Sequence, residues 1–527
     1  MSRAAGLVAL GLIALLVLAA LAGLVTAGGE GGSYGRTSYI VGLIRISLIQ
    51  AALSAATSLV VGAAIALALA RRTRFPGRHA LIAALNVATV LPAIVTVFAI
   101  VAVFGRSGWL ADIAGWLGID YGSWVFGLDG VVIAHILLNA PLAARVFLAG
   151  LASISPEQWR LASQLGMPPS ALFRLIDLPV LIREAPGIGA LMFLACFTSF
   201  AIVLALGGGP AVSTLEVAIY EAVRFEADFR GAAVLAVLQV AVAAILLAPV
   251  AFLLTRRAPE AMPTGLGADR PDIKARSMRV FDGAVLVAAA LFVGVPLATI
   301  ALSGIGAVGS LFDRAVLEAL GTSLAIGIAA GLLSVGLGFS IALLSRELRF
   351  RAGRPRLAGI VSLSALLILV ISPITLSAGL FVVLRPHADP FALAAPLIVI
   401  VNALMALPFT YRHIEPPLLL SFERFGRLAD SLGMRAWTRF VLTDWPLLRS
   451  PLIVGLTMAT ALSLGDLGVA AFFGTGDVVT LPLLLYSRLG AYRTDEAASV
   501  ALLLTLLVLA LFLVAQRWSG GWFARAR

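Results

Sequence analysis

Cysteine is almost missing from this chain: Cys196 is the single one among 527 residues, so neither a disulfide framework nor a cysteine metal cluster can form within it. Lying inside an apolar run, Cys196 reads as a small buried hydrophobe. Charge is scarce as well, at 12% of residues where a soluble domain carries roughly 25%. The four histidines, His79, His135, His387 and His413, stand apart without ligand spacing, which argues against a metal site. No Gly-x4-Gly-Lys-Ser/Thr phosphate loop occurs, and the run Gly207-Gly208-Gly209-Pro210 lacks the lysine. The chain therefore does not hydrolyse ATP itself. No cluster of acid, base and nucleophile marks it as an enzyme or calls for a cofactor of its own. Acidic residues are the minority, 27 against 38 Lys and Arg, giving a net charge of +11 and a pI near 10.8. That excess does not point to nucleic acid, because the basic residues fall in short loops between apolar runs rather than on one face.

What is abundant is apolar sequence. Hydrophobic residues make up 61% and the mean hydropathy is +1.05, so lipid is the solvent for most of the chain. A helix that crosses the hydrocarbon core needs ~20 apolar residues. Counting such stretches predicts an all-α, polytopic membrane protein of about 12 transmembrane helices in two parallel six-helix repeats. The first stretch, residues 6–25, is longer than the ~7 to 15 residues of a signal sequence's apolar region. Its counterpart at 281–303 lies mid-chain, so it is read as a retained helix. The third stretch of each half, 80–104 and 358–384, carries a matching Leu91-Pro92 or Ser372-Pro373. A charged, proline-bearing, aperiodic segment divides the chain into a first half at 1–257, a linker at 258–279 and a second half at 280–527. By the positive-inside rule, about 28 of the 38 basic residues fall on one alternating set of loops. That set includes both termini and the linker, which places them in the cytoplasm.

The halves share one polar stretch. Residues 160–179 read RLASQLGMPPSALFRLIDLP and residues 427–446 read RLADSLGMRAWTRFVLTDWP, 267 positions apart. Each follows the fourth span of its half and belongs to a loop, 155–183 or 421–450, on the arginine-rich side. Ser155-Pro156-Glu157-Gln158 predicts a helix start with a serine cap, proline at the first helical position and Gln158 closing a capping box. Gly166 stands where a left-handed stop is needed, followed by Pro168-Pro169. The second copy is expected to start at Ser421, with Glu423 in its first turn, and to stop at Gly433. Such a helix, presenting Arg160 or Arg427 beside the small Ala162 or Ala429, suits a groove on another protein.

The pattern x-x-Ala-x3-Gly-x9-Ile-x-Leu-Pro, met in full by the first stretch and ending Thr443-Asp444-Trp445-Pro446 in the second, resembles the "EAA" signature of permease subunits of ATP-binding-cassette importers. That resemblance implies the MetI-like type I importer fold, with each insert a coupling helix seated in an ATPase subunit. The family's leading Glu-Ala is Arg160-Leu161 and Arg427-Leu428 here, so its glutamate contact does not carry over; Glu157 and Glu423 lie three and four residues earlier. The coupling residues implied are Glu157, Arg160, Ala162, Gly166, Glu423, Arg427, Ala429 and Gly433. Among fused double permeases the chain is similar to those of thiamine importers, most of all at 197–223, 427–448 and 476–498. Iron(III) permeases share the fused plan. The resemblance further implies two copies of a cytoplasmic ATPase that binds the ATP, a periplasmic substrate-binding protein and a bacterial inner-membrane location.

A few polar residues are candidates for the path itself. Asp466 lies inside the eleventh apolar stretch, where an ionisable group costs ~2.5 to 3.5 kcal/mol on insertion scales and faces a bundle interior or a watery cavity. Asn139 and Asn402 occupy the fourth stretch of each half, as interhelical hydrogen-bonding groups or pathway ligands. Thr214-Leu215 with Tyr220 and Thr480-Leu481 with Tyr486 share one spacing and predict capped external helices, which the resemblance implies form a gate. A twelve-span secondary transporter also has two six-span halves, yet has no use for a capped helix repeated after the fourth span of each.

Overall fold

A computed structural model describes residues 2–26, 37–122, 124–209, 212–255 and 270–518. The described residues form helices and turns, with no strands among them. Among the described residues, eleven helices are long and apolar enough to cross a membrane by length and composition. The expected count was twelve, and the difference lies in the third span of the second half, which is split into two shorter apolar helices; the third span of the first half still counts, from Ala93 to Trp116. Prolines break both: Arg78–Val90 stops at Leu91 and Ala93–Phe104 begins after Pro92, while Pro355–Leu367 and Pro373–Leu384 flank Ser372. A proline supplies no N–H to the turn before it, so the ladder stops there. In the second half Ser372 repairs the break by accepting the Thr375 N–H at 3.0 Å. Leu91 and Ser372 are both buried, as irregular backbone at membrane depth requires.

The helices gather into two compact units, and these cut across the sequence halves. One comprises Met1–Thr37, Ala218–Val240 and Val308–Arg527; the other, Ser38–Val217 and Ala241–Ala307. In the first unit, the Ser2–Thr26 helix packs along Arg314–Phe350 and Pro373–Leu384. Contact is close enough that a Cβ at Gly379 would meet the Ala20 carbonyl oxygen at 2.5 Å, the small-residue packing by which helices associate in lipid. In the second unit, Arg276–Gly306 lies on Arg78–Val90 and Ala93–Phe104. Each unit thus takes its first long helix from the opposite half of the sequence. The expected domain limits follow the duplication, whereas packing follows this exchange.

Candidate functional site

The two inserts obey the same local rules at their ends and differ at their starts. In the first, Ser155 is extended (φ −69°, ψ 146°) because it precedes Pro156, and the helix runs Pro156–Gln164. The expected capping box does not form: Ser155 makes no side-chain bond to the helix backbone. Its hydroxyl turns to Glu157 instead. The Glu157 carboxyl is held below the usual carboxylate range, first by its own backbone N–H and then by that hydroxyl. In the second insert the expected start at Ser421 is overturned, since a single helix runs from Ala394 to Ser431. Phe422, not proline, follows Ser421, so nothing forces that residue out of the helical region.

Both inserts stop as the glycines dictate. Gly166 and Gly433 each adopt φ +60°. The Met167 N–H reaches the Ala162 carbonyl at 3.1 Å and the Met434 N–H reaches that of Ala429 at 3.0 Å. The glycine N–H groups bond Ser163 and Asp430. Each turn therefore satisfies carbonyls that the helix end would otherwise leave open. The chain then re-enters through a short helix and a five-residue π turn, Phe173–Asp177 or Phe440–Asp444, leading into Leu178–Phe197 or Trp445–Leu464. Such π turns concentrate at functional sites.

The acid ending each π turn is buried and ion-paired. Asp177 accepts from Arg270 at 2.8 Å, and Asp444 from Arg346 at 2.7 Å and Ser421 at 2.6 Å. An arginine also stacks on the insert's buried or half-buried aromatic: Arg270 over Trp159 at 4.1 Å, Arg439 over Phe422 at 4.4 Å. In the first half this arginine comes from the linker. Of the expected linker, 258–269 lies outside the described residues, but Arg270 and Asp272 are buried in a cluster with Arg71, Asp177 and Asp282. Burial opposes the Arg270 charge, but Asp272 and Asp177 outweigh it and raise the guanidinium above its ordinary range. Burial likewise pushes the Asp272 carboxyl up, and Arg270 and Arg71 more than reverse this, leaving it below the usual value. The repeated Asp-x-Pro was the signal that could have found the two acids; only the fold reveals Arg270.

On the outer surface Glu157, Arg160, Glu423 and Arg427 are exposed. Ala162 and Ala429 are not presented beside them, as expected from sequence, but face inward at 2% and 1% exposure. Leucines stand in their place: Leu161, Leu165, Leu428 and Leu432 are 55 to 68% exposed. The sequence reading missed these four, although each pair has the i, i+4 spacing of one helix face. Beside the first insert opens a groove of about 340 Å³ lined by Leu161, Leu165, Met167, Leu175, Ile176 and Val180.

Of the path candidates, Asn139 donates to Cys196 Sγ at 3.3 Å and Asn402 to Ser463 Oγ at 2.9 Å, linking the fourth and fifth spans of each half. Asp466 lies in the break after Trp445–Leu464, where it accepts the Val469 N–H at 3.1 Å and meets Asn402. Asn402 and Asp466 therefore come together, whereas Ser199 holds the acid's position in the first half. Tyr220 is buried with its ring edge-on to Phe225 at 5.7 Å; burial pushes its hydroxyl up and neighbouring Tyr486 adds to this. The helices after Thr214 and Thr480 start as expected, but the caps differ. Ser47 and Ser323, from the second span of each half, accept the Leu215 and Leu481 N–H groups at 2.9 and 2.8 Å. One further cluster escaped the sequence reading: Gln50 and Ser54 lie 3.0 and 3.1 Å from His135 Nδ1, all buried. Polar residues recurring within two apolar stretches were its signal. No group of three or more metal-ligating side chains occurs among the described residues.

No family model matches the chain. It is similar to the thiamine transport system permease protein ThiP of Brucella melitensis biotype 1, 40% identical over 524 residues that cover 97% of this chain and 94% of that protein. ThiP of Escherichia coli strain K12 is 39% identical over 490 residues, 92% of this chain and 90% of its own. The sulfate transport system permease protein CysW of Synechocystis is 30% identical over 207 residues, covering 37% of this chain and 72% of that protein.

Proposed function

The chain belongs to the family of thiamine transport system permease proteins, and from that membership we propose that it forms the path by which thiamine, and its phosphate esters, cross the bacterial inner membrane. Full-length likeness at 40% identity carries this reading. The chain has no phosphate loop, so the energy comes from a separate ATPase of the ATP-binding-cassette type. Two copies dock on the two inserts, which lie on the cytoplasmic side together with both termini. There Glu157, Arg160, Glu423 and Arg427 with the exposed leucines make the contact, while Gly166 and Gly433 fix its shape. A periplasmic binding protein delivers the substrate to the opposite face, near Tyr220 and Tyr486. Within the membrane, the polar groups offered to a cationic thiazolium are Asp466 with Asn402 in the second half and Asn139 in the first. Because binding at one subunit is linked to shape change in another, a loaded binding protein stimulates ATP hydrolysis.

The test is uptake of labelled thiamine into proteoliposomes holding the permease with its co-purified ATPase and binding protein. Uptake should need ATP and be competed by thiamine diphosphate. Accumulation without ATP, or transport of sulfate but not thiamine, overturns the assignment.

A further inference from the structure

A second groove, about 530 Å³ in volume, lies between the Arg78–Val90 and Arg276–Gly306 helices. Its walls are apolar, including Phe75, Leu81, Leu286 and Val287, and two of its residues are Arg72 and Arg279. Arg72 is held by two of its three guanidinium nitrogens: Nε donates to Asp282 at 2.9 Å and Nη1 to the Ile273 carbonyl at 2.9 Å. Its Nη2 is buried and has no partner among the described residues, and the same is true of Nε of Arg78, next to the lining residue Gly77. A buried guanidinium edge left open is unfavourable unless an anion meets it. Asp282, which pairs with Arg72, is already shared with Arg71, and neither of those pairings reaches Arg72 Nη2.

We propose that this groove is a binding site for one anionic phospholipid, with an acyl chain lying between the two helices and the phosphate at Arg72 and Arg279. Apolar walls ending in arginines at the basic end of the span are the arrangement that selects an anionic headgroup over a zwitterionic one. Two glycines give the chain its room. A Cβ at Gly283 or Gly294 would meet nothing within 4 Å, so the wall there is open space and not a packed contact. The site abuts the ionic cluster that anchors the first insert through Asp282, which places the lipid against the element that holds the coupling helix.

The experiment uses the full-length chain, purified in detergent and offered dioleoyl phosphatidylglycerol, dioleoyl phosphatidylcholine or sn-glycerol 3-phosphate, with binding read by native mass spectrometry. One phosphatidylglycerol should be retained in preference to phosphatidylcholine, by roughly fivefold for each arginine engaged. Gly283→Leu with Gly294→Leu fills the groove and should abolish that preference; leucine favours a helix more than glycine does, so the fold is not put at risk. Arg279→Gln should reduce the preference for phosphatidylglycerol while acyl-chain occupancy persists. Equal retention of both lipids by the unaltered chain overturns the proposal. So does undiminished phosphatidylglycerol binding in the glycine variant, or binding of glycerol phosphate as tight as that of the lipid.

Discussion

At Gly166 and Gly433 the backbone turns left-handed with φ +60°, a conformation that disfavours an L residue by roughly 1 to 2 kcal/mol and a β-branched one more. Gly166→Val together with Gly433→Val should therefore displace both inserts while leaving the spans in place. The expected outcome is loss of the ATPase stimulation that the loaded binding protein gives; stimulation that persists would remove the inserts from coupling. Arg270 makes a different residue-scale prediction. Arg270→Gln leaves Asp177 and Asp272 buried with fewer partners, and breaking a buried ion pair destabilises by about 3 to 5 kcal/mol. The loss should appear as a lowered melting temperature near neutral pH. Since Asp272 is held below its ordinary value of 3.8, its stabilising contribution is present above that value and disappears as pH falls through the depressed one. A melting difference that is unchanged below that range would refute the ion-pair explanation. These glycines were legible in the sequence because a left-handed stop is a local requirement. Arg270 was not, because its partner Asp177 lies 93 positions away.

The inserts, as elements, show how one substitution in a duplicated sequence changes a helix. Pro156 holds Ser155 extended and starts a separate helix, while Phe422 lets the Ala394–Ser431 helix run unbroken through the second insert. Beyond that difference both elements end on the same glycine turn, π turn and buried acid. The exposed leucines are the surface this shared geometry presents, and the one proposed above for the ATPase. Leu161→Asp with Leu428→Asp should abolish co-purification of the ATPase and leave the unfolding free energy within about 0.5 kcal/mol of the original, the usual range for surface changes. Retained co-purification at full yield would move the docking surface elsewhere. The repeat located these stretches, but it could not tell which side of each faces out; Ala162 and Ala429 are buried, and their carbonyls receive the turn's Met167 and Met434 N–H groups.

For the whole molecule, the proposed path rests on what the second half does that the first does not. Asp466 sets an ionisable carboxyl beside the Asn402 amide where the first half has Ser199 and Asn139. Asp466→Asn keeps the shape and an acceptor for the Val469 N–H but removes the charge. Thiamine uptake should fall about tenfold or more, as loss of a 1.4 kcal/mol interaction would produce, with ATPase coupling intact; unchanged uptake would make Asp466 a helix cap only. The sequence alone determined that the chain lives in lipid, that it is duplicated, and where each insert stops, because composition, repetition and φ are properties of short stretches. Tertiary structure decided that each compact unit takes its first helix from the other half, that Ser47 and Ser323 cap the helices after Thr214 and Thr480, and that a linker arginine covers Trp159. Those contacts join residues more than a hundred positions apart, and lipid, being apolar everywhere, gives a helix no local signal of which neighbour it will meet.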